Sequence, residues 1–276
     1  MGDLDGLGYA GSTTVVVGCS TGIGEATVRI LNDLGAKVHA VSRNEPDLPF
    51  EAFYPTDLTD FDNIAATAEA LAGIGPISNV LVASGVPATR PVGEVMRVNY
   101  VGLRRLVELV VPSMADAGNV TVSGSNTAYG WERSLEALLP LVKIEDPAEA
   151  LTWLEEHPEV IPDSSLGTYI TSKHALNIWV TYAAPALAQS RGIRLNCVCP
   201  GLTETKMVDE LVERAGTRAM VDAYPNPLFG RITTAEEAAW PLVVINSRIN
   251  AVINGTVVWA DQGAAAGLAS GALTFM

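Results

Sequence analysis

The feature that most constrains the fold of this chain is a glycine-rich turn, Gly18-Cys-Ser-Thr-Gly22-Ile-Gly24, between a valine-rich segment and an amphipathic helical pattern. Glycines at this spacing allow a tight turn and let the backbone approach a pyrophosphate, whose charge the free N–H groups of a helix start can offset. Turns also need glycine for conformational reasons, so the turn alone is weak evidence. In its strand–turn–helix context it predicts a dinucleotide site. The expected contacts are Gly18, Ser20, Thr21, Gly22, Ile23 and Gly24.

Short apolar runs alternate with helical patterns along nearly the whole chain. Strands are predicted at residues 13–17, 37–41, 53–54, 79–83, 119–123, 194–198 and 255–259. Helices are predicted at residues 23–34, 61–72, 92–114, 169–189 and 234–247, and Pro185 should end or kink the fourth of them. Repeated strand–helix–strand units indicate an α/β protein with a Rossmann fold, built on a doubly wound, parallel, seven-stranded sheet. Because no linker signal divides residues 1–276, one domain is expected.

Composition narrows the possible partners. The chain carries 17 Lys+Arg against 31 Asp+Glu, a formal net charge of −14, which argues against nucleic acid because phosphate-backbone binding needs a basic face. No apolar run approaches the ~18 residues of a membrane span, and the first residues lack a secretory pattern. The three cysteines form neither a disulfide framework nor a metal-site pattern. We expect a soluble, cytoplasmic protein with no metal and no membrane partner.

The end of the second predicted strand bears on which dinucleotide is bound. Folds that select NAD place an Asp or Glu there, where the carboxylate accepts a hydrogen bond from the ribose 2′-hydroxyl. This sequence has Ser42-Arg43-Asn44 instead. A guanidinium would pair with a 2′-phosphate that a carboxylate would repel, so NADP(H) is favoured over NAD(H). The alternative is that Arg43 is simply a solvated loop residue.

A tyrosine and a lysine stand four residues apart in Tyr169-Ile-Thr-Ser-Lys173, so both project from one face of a helix. A neighbouring ammonium favours the phenolate form of a tyrosine. The pair can therefore act as general acid when a ketone is reduced and as general base when an alcohol is oxidised. A Tyr-x-x-x-Lys spacing is common by chance, and it gains meaning only behind a dinucleotide turn.

Together these motifs resemble the short-chain dehydrogenase/reductase family, and the likeness spans almost the whole chain. Its details, including a long insert before the tyrosine, are similar to the branch of bacterial 3α-hydroxysteroid dehydrogenase/carbonyl reductases. The motifs that carry the resemblance are Gly18-x-x-x-Gly22-Ile-Gly24, Asp57-Leu58, Ala83-Ser84-Gly85, Val98-Asn99-Tyr100, Tyr169-x-x-x-Lys173 and Cys199-Pro200-Gly201-Leu-Thr203-Glu-Thr205. The resemblance implies an alcohol dehydrogenase or ketoreductase that transfers a hydride between nicotinamide and substrate carbon.

The resemblance also implies roles for individual residues. Tyr169 would exchange the proton, while Lys173 would stabilise the phenolate and hold the nicotinamide ribose. Asn99 would support a water-linked proton path to Lys173. Further cofactor contacts would come from Ser42, Arg43, Asp57, Leu58, Ala83, Ser84, Gly85, Tyr169, Lys173, Pro200, Gly201, Thr203 and Thr205.

The sequence departs from the family pattern where a serine should hydrogen-bond the substrate oxygen. The fifth predicted strand ends Val122-Ser123-Gly124-Ser125, and simple alignment puts Gly124 at the serine position. Glycine in a strand often marks a bulge, and a one-residue bulge at Gly124 would bring Ser125 into place. Strand alternation aims Ser123 at the face opposite Gly124, so we favour Ser125 and keep Ser123 as the alternative. A second departure, Ala83-Ser84-Gly85 in place of Asn-Ala-Gly, removes a structural amide.

Two segments exceed the common core of the fold. Residues 130–167 carry an apolar stripe at Leu135, Leu138, Leu139 and Val142, followed by a helix start at Asp146-Pro147-Ala-Glu149. This predicts a helical insert that packs on the body or a partner subunit, or less readily forms a pocket wall. Residues 202–230 resemble the family's mobile substrate lid. Its inner face would be apolar, through Met207, Val208, Leu211, Met220, Tyr224 and Phe229.

These patterns predict an NADP(H)-dependent oxidoreductase for a bulky, apolar secondary alcohol or ketone that is steroid-like, terpenoid or otherwise cyclic. A homodimer or homotetramer is expected. The alternative is a nucleotide-binding regulatory protein of the same fold whose catalysis is weakened. The unsettled serine motivates that alternative.

Overall fold

The computed structural model describes residues 5–162 and 164–274. Within them lies one parallel sheet with the order β3-β2-β1-β4-β5-β6-β7, as the predicted Rossmann fold requires. The strands are β1 (Thr13–Val17), β2 (Lys37–Ser42), β3 (Ala52–Pro55), β4 (Ile77–Val82), β5 (Met114–Ser123), β6 (Arg194–Pro200) and β7 (Val257–Ala260). The order in which successive strands are added reverses between β1 and β4, and such sheets bind ligands in the crevice at that point.

Helices cover both faces of the sheet. They are α1 (Gly22–Asp33), α2 (Phe61–Ala72), α3 (Val92–Met96), α4 (Leu103–Val110), α5 (Leu135–Lys143), α6 (Pro147–Glu156), α7 (Ser165–Arg191), α8 (Lys206–Ala215), α9 (Ala219–Asp222), α10 (Ala235–Asn246) and α11 (Ala264–Ser270). A π-helical segment, Arg97–Gly102, joins α3 to α4.

The alternating side chains of the strands divide the apolar interior into two cores. Val15 and Val17 of β1 lie in the core beneath α2, α4 and α7. Val16, between them in sequence, lies in the core beneath α1 and α10. Since both faces of β1 are buried, its sequence Thr-Thr-Val-Val-Val is a continuous apolar run rather than an alternating one.

Two local predictions need correction, and for Pro185 one of the two predicted effects, a helix end, is excluded. Met114 is the first residue of β5 and not the end of a helix, because the chain leaves α4 through a 3₁₀ turn at Val111–Ser113. The predicted helix over residues 92–114 is also divided by the π-helical segment. Pro185 does not end α7, which continues to Arg191 and stops at Gly192, whose φ is 67°. Burial of the preceding turns, such as Leu176 and Ile178 at 0% exposure, outweighs the one helical hydrogen bond that proline removes.

The insert at residues 130–167 contains α5 and α6 and packs on the body, but the predicted stripe is only partly correct, because Leu135 is 42% exposed and Leu141, outside that stripe, is buried. Leu138, Leu141 and Val142 are buried in the core shared with α4 and α7. The buried Arg104 of α4 donates a 2.9 Å hydrogen bond to the Val142 carbonyl. The predicted helix start is present, since the Asp146 carboxylate caps α6 by accepting from two of its backbone N–H groups, at 2.8 and 2.9 Å.

This packing makes a testable difference within one helix. Leu141→Ala removes a side chain with 0% exposure and should lower the free energy of unfolding by about 2–5 kcal/mol, because a cavity remains. Leu135→Ala, on the same helix but 42% exposed, should change it by less than about 0.5 kcal/mol. Denaturant unfolding of both variants checks this. Equal effects would show that α5 does not pack on the body as described.

Candidate active site

The glycine-rich turn is built from backbone contacts that exclude side chains. Gly18 and Gly22 have φ values of 83° and 59°, which glycine adopts without strain. A Cβ on Gly24 would lie 1.9 Å from the carbonyl oxygen of Gly18, and a Cβ on Gly18 would lie 2.5 Å from the backbone nitrogen of Ser84. The start of α1 therefore packs directly against the end of β1 and the loop that follows β4 (residues 83–91, the β4 loop). The free N–H groups at the start of α1 remain open to a ligand.

A cleft of about 390 Å³ runs along the carboxyl edge of the sheet beside this turn. Most residues predicted to bind the cofactor line it: Gly18, Ser20, Thr21, Gly22, Ile23, Ser42, Arg43, Asp57, Leu58, Ala83, Ser84, Gly85 and Thr205. Sequence reasoning missed other lining residues, notably Arg90 from the β4–α3 loop and Lys206, Met207 and Glu210 from α8. No cofactor motif marks them, because the fold brings them to the cleft from the β4–α3 loop and from α8.

The remaining predicted cofactor residues stand outside this cleft lining. Gly24 lies behind the turn, against Gly18. Thr203 is buried and donates to the Gly201 carbonyl at 2.9 Å, while its hydroxyl also contacts that of Thr233 at 3.0 Å. Pro200 ends β6. Pro200, Gly201 and Thr203 belong to the β6–α8 connection, and like Tyr169 and Lys173 of α7 they are not among the residues that line the cleft. The donor set of the cleft, with its helix start, hydroxyls and guanidinium, fits an anionic dinucleotide.

At the β2 end of the cleft, Ser42 is held between its neighbours. Its hydroxyl donates to the Asn44 carbonyl at 2.6 Å and lies 3.3 Å from the Cys19 sulfur. Burial raises the pKa of the Cys19 thiol, which keeps it uncharged beneath the cleft. The exposed Arg43 therefore contributes the charge at this point.

The carboxylate of Asp57, which lines the cleft, is hydrogen-bonded within its own turn. It accepts from the Thr59 backbone N–H and hydroxyl, both at 2.8 Å. These bonds, with the nearby charge of Arg43, hold the pKa of Asp57 below its usual value despite partial burial. Within residues 5–162 and 164–274, Arg43 itself forms no ion pair at 4.0 Å or less.

The proton-transfer pair lies on α7 where that helix crosses the end of β5. Lys173 is only 3% exposed, donates to the Ser123 carbonyl at 3.3 Å, and places its Nζ 5.6 Å from the centroid of the Tyr169 ring. A Cβ on Gly85 would lie 3.8 Å from Lys173 Nζ and 3.3 Å from Asn99 Oδ1. Because Gly85 has no side chain, both Lys173 and Asn99 can lie close to its backbone.

Asn99 lies in the π-helical segment, and its side chain clamps the β4 loop. Its Oδ1 accepts from the Val86 backbone N–H at 2.7 Å, and its Nδ2 donates to the Val86 carbonyl at 3.0 Å. Both the oxygen and the nitrogen of the amide thus bond the backbone of Val86, and the residue is 0% exposed. Asn99 therefore positions the loop next to Lys173 through both ends of its side chain.

The expected bulge at Gly124 is absent. β5 pairs with β6 in unbroken register up to Ser123–Val198, and the Gly124 N–H donates to the Val198 carbonyl at 2.7 Å. The irregularity of β5 lies earlier, where its pairing with β4 jumps from Met114 to Asn119. A bulge is not needed at Gly124, because the strand ends there and strict alternation ends with it.

The two candidate serines differ in their surroundings. Thr121 accepts from Asn246 of α10, so alternation also places Ser123 on the α10 face, away from α7. Ser125 begins the 3₁₀ turn Asn126–Ala128, where its Oγ accepts from the Thr127 backbone N–H at 3.2 Å and from the Thr127 hydroxyl at 2.9 Å. In the part of the chain that the structure describes, no acceptor is recorded for the Ser125 hydroxyl's own hydrogen.

The segment predicted as a lid is hydrogen-bonded to the rest of the chain at several places, and two of them lie near the cleft or the candidate serine. Glu210 of α8 accepts from the Thr89 hydroxyl and, at 3.3 Å, from Arg90. Farther along, the Tyr224 hydroxyl accepts from the Asn126 side chain, one residue beyond Ser125. Burial raises the pKa of Tyr224 to about 12, so it is a neutral phenol. No sequence pattern indicated the contact between Tyr224 and Asn126, because 98 residues separate them.

The expected apolar inner face of this segment is divided. Val208 is buried with Val221 and Ile232 in a small core of its own. Met220 and Phe229 are 59% and 50% exposed. Met207 lines the cofactor cleft. The segment therefore has a small core of its own, and its apolar side chains do not form one continuous surface over the cleft.

The three histidines have structural neighbours. His39 Nδ1 lies 3.3 Å from the Tyr54 hydroxyl, the His157 ring stacks on Trp153, and His174 Nδ1 lies 2.8 Å from the Ser134 hydroxyl of the insert. In the described ranges no group of His, Cys, Asp and Glu side chains is arranged to hold a metal ion. No helix there is long and apolar enough to cross a membrane.

Comparison with known proteins agrees with the fold and the motifs. Residues 12–133 match the family model for short chain dehydrogenases, and residues 152–265 match the model described as enoyl-(acyl carrier protein) reductase. The coniferyl-alcohol dehydrogenase of Pseudomonas sp. strain HR199 is 31% identical over 253 residues, which cover 91% of this chain and 95% of that protein. The chain therefore belongs to the short-chain dehydrogenase/reductase family of oxidoreductases, whose members include alcohol dehydrogenases and ketoreductases.

Other relatives match the predicted branch. The 3-alpha-hydroxysteroid dehydrogenase/carbonyl reductase of Comamonas testosteroni is 24% identical, over 91% of this chain and 96% of that protein. The crystal structure of the 3-alpha-hydroxysteroid dehydrogenase from Pseudomonas sp. B-0831, complexed with NADH, has a TM-score of 0.78 at 24% identity. It covers 96% of this chain and all of that one. This likeness shows that the two chains share a fold.

The glycine turn provides a prediction about nucleotide binding. Gly24→Ala should lower the free energy of unfolding by about 1–3 kcal/mol, because its Cβ meets the backbone of Gly18 and Cys19 in the turn after β1 rather than a movable side chain. It should also raise the Kd for NADPH at least about tenfold, equivalent to ~1.4 kcal/mol. Gly93→Ala, in the first turn of α3 with open space around it, is the matched control. A Gly24→Ala variant that binds NADPH like the control would contradict the proposed turn geometry.

Proposed function

We propose that this protein transfers a hydride between NADP(H) and a bulky apolar secondary alcohol or ketone, of steroid-like, terpenoid or other cyclic structure. The observation that carries the proposal is the meeting of Lys173, Tyr169 and the Asn99-clamped β4 loop at the end of the cleft. Residues 1–276 would act as one dinucleotide-binding and catalytic domain, with residues 202–230 as the substrate lid.

The cofactor assignment rests on the lining of the cleft. The start of α1 and the hydroxyls of Ser20 and Thr21 would hold the pyrophosphate. Arg43 would pair with the 2′-phosphate. In the described chain no carboxylate lies within the 4.0 Å ion-pair distance of the Arg43 guanidinium. When bound, the nicotinamide supplies or accepts the hydride. The related hydroxysteroid dehydrogenase structure contains NADH, so NAD(H) is the competing assignment.

The chain's own residues would handle the proton. Lys173, buried and anchored on the Ser123 carbonyl, holds its ammonium 5.6 Å from the centroid of the Tyr169 ring. The Tyr169 hydroxyl would donate its proton to the ketone oxygen in reduction and accept it from the alcohol in oxidation. Ser125 would donate a hydrogen bond to the same substrate oxygen, since its Oγ accepts from Thr127 while its own hydrogen remains to be donated.

The substrate class is inferred from relatives and from the lid. The similar proteins are a coniferyl-alcohol dehydrogenase and a hydroxysteroid dehydrogenase/carbonyl reductase, which favours ring-bearing alcohols and ketones. Tyr224 and Asn126 meet beside Ser125 and would add a polar point to an otherwise apolar wall. A homodimer or homotetramer remains the proposed assembly.

A second candidate is a nucleotide-binding regulatory protein with weakened catalysis. Gly124 favours it, because alignment puts a glycine where the family has its serine. The two candidates share the cofactor cleft and differ in turnover alone. Binding of NADPH without turnover of any ketone would support the second.

Removing a reacting side chain should therefore lower kcat while the affinity for NADPH stays nearly constant. Tyr169→Phe and Ser125→Ala should each lower kcat for NADPH-dependent reduction of a panel of bulky cyclic ketones by about 10²–10⁴-fold, the range for a lost acid or oxyanion donor. The Kd for NADPH should stay within about twofold of the wild-type value. Tyr182→Phe, also on α7 but 52% exposed, is the control. Full activity of Ser125→Ala would remove that serine from the mechanism.

Arg43 provides the test of cofactor choice. Arg43→Ala should raise KM for NADPH by about 10- to 100-fold, since a charge-assisted pair contributes roughly 1.5–3 kcal/mol. KM for NADH should stay unchanged. Arg133→Ala, an exposed arginine of the insert, controls for the change in net charge. Equal NADPH-to-NADH selectivity in wild type and Arg43→Ala would show that Arg43 is only a solvated loop residue.

A further inference from the structure

Gln262 carries backbone strain just beyond the end of β7. In the described chain, Gln262 and Ala117 are the two non-glycine residues with positive φ, at 63° and 58°. This left-handed region is unfavourable for residues with a Cβ, whereas glycine reaches it without strain. The chain turns here from β7 into α11, where the Asp261 carboxylate accepts from the backbone N–H groups of Gly263 and Ala265 at 3.1 and 2.7 Å. Glycine would suit this turn better, so the glutamine side chain points to a separate function.

The Gln262 side chain bonds three residues at the end of the segment predicted as a lid. Its Oε1 accepts from the Phe229 backbone N–H at 3.0 Å. Its Nε2 donates to the Arg231 carbonyl at 2.7 Å and to Asn226 Oδ1 at 3.2 Å. Both the oxygen and the nitrogen of one amide are thus bonded to a single loop. The side chain thereby ties that loop to the carboxyl edge of the sheet.

The two sides of this contact differ in how firmly they are held. Asp261, next to Gln262, is 2% exposed, and a Cβ on Gly201 would lie 3.2 Å from its Cα, so the sheet side is closely packed. In the loop, Leu228 and Phe229 are 68% and 50% exposed. Because these residues bury little apolar surface, the position of the loop depends on its polar contacts.

The same loop leads to the candidate serine. Asn226 donates through its Nδ2 to the Tyr224 carbonyl at 2.8 Å. The Tyr224 hydroxyl in turn accepts from the side chain of Asn126, the residue after Ser125. Asn226 therefore connects the amide of Gln262 to the backbone of the tyrosine that lies beside Ser125.

We infer that Gln262 is a positioning residue that anchors the segment 202–230 to the end of β7 and holds Tyr224 beside Ser125 before the substrate binds. The inference rests on the proposed role of this segment as the substrate lid. An anchored segment is already ordered, so substrate binding does not have to order it. Without the anchor, the competent arrangement is only a fraction of the population, and the apparent affinity for the substrate falls by that fraction.

Gln262→Gly separates the side chain from the backbone conformation, because glycine keeps a φ near 63° without strain. It should raise KM for NADPH-dependent reduction of a cyclic ketone at least about tenfold, while kcat at saturating ketone and the Kd for NADPH stay within about twofold. Ala117→Gly, which relaxes the other left-handed residue, in β5, is the control and should change each constant by less than about twofold. A role confined to the turn after β7 would change Tm and leave KM unaltered.

Limited proteolysis measures the anchoring without turnover. Arg218 is an exposed trypsin site within the segment, and cleavage there requires the segment to open locally. In the NADPH-bound protein, cleavage after Arg218 should be at least about fivefold faster in Gln262→Gly than in Ala117→Gly. Gln262→Asn retains an amide that is one methylene too short to make all three bonds. It should behave like Gln262→Gly, so the result does not depend on the folding of one variant.

Unchanged KM and unchanged cleavage in Gln262→Gly would overturn the inference. Faster cleavage at constant KM would overturn it too, since the segment would then be anchored without serving the substrate. So would a fall in kcat at constant KM, which would place Gln262 in the chemistry instead. If the wild type reduced no ketone, the proposed function would fail, and the cleavage rates alone would still decide whether Gln262 anchors the segment.

Discussion

The buried ammonium of Lys173 is the constraint around which the site is arranged. An ammonium that is almost entirely removed from water requires hydrogen-bond partners, and its partner in the chain is the Ser123 carbonyl at the end of β5. That bond ties α7 to the carboxyl edge of the sheet. The β4 loop must then approach closely, which Gly85 permits by presenting no side chain to Lys173 or Asn99. The position of one charge thereby fixes how a helix, a strand end and a loop meet.

The rest of the architecture supports that meeting from behind. α7 is held against the sheet by the core that includes Leu176 and Ile178, and the insert packs on the same helix from outside. Ser134 of the insert contacts His174, the residue after Lys173. The insert therefore braces the helix that carries the reacting pair. On the other side, residues of the 202–230 segment are hydrogen-bonded to Thr89, Arg90 and Asn126, beside the cleft and the candidate serine.

The sequence predicted those structural elements that depend on residues close together in the chain. The strand–turn–helix unit at Gly18 and the capped start of α6 at Asp146 depend on residues adjacent in sequence, so the sequence alone revealed them. The same holds for Tyr169 and Lys173, which helical spacing brings to one face. The doubly wound parallel sheet was likewise predicted from repeated strand–helix–strand units.

Features with distant causes could not be read in the same way. Pro185 argues for a helix end, and only the burial of the earlier turns of α7 shows why the helix continues. A glycine in a strand suggested a bulge at Gly124. In the structure a side chain there would instead collide with the sulfurs of Cys197 and Cys199, which are more than 70 residues away in sequence. The contact of Tyr224 with Asn126 likewise joins segments 98 residues apart. No local pattern carries such information, because packing partners are chosen by the fold.

The most direct test of this account is a crystal structure of the protein with NADP⁺ and a bound cyclic alcohol or ketone inhibitor. The account predicts that Ser125 Oγ and Tyr169 Oη both lie within about 2.6–3.2 Å of the ligand oxygen, the distance for productive proton transfer. A ligand oxygen held by Ser123, or by neither serine while Tyr169 remains apart from it, would contradict the central claim.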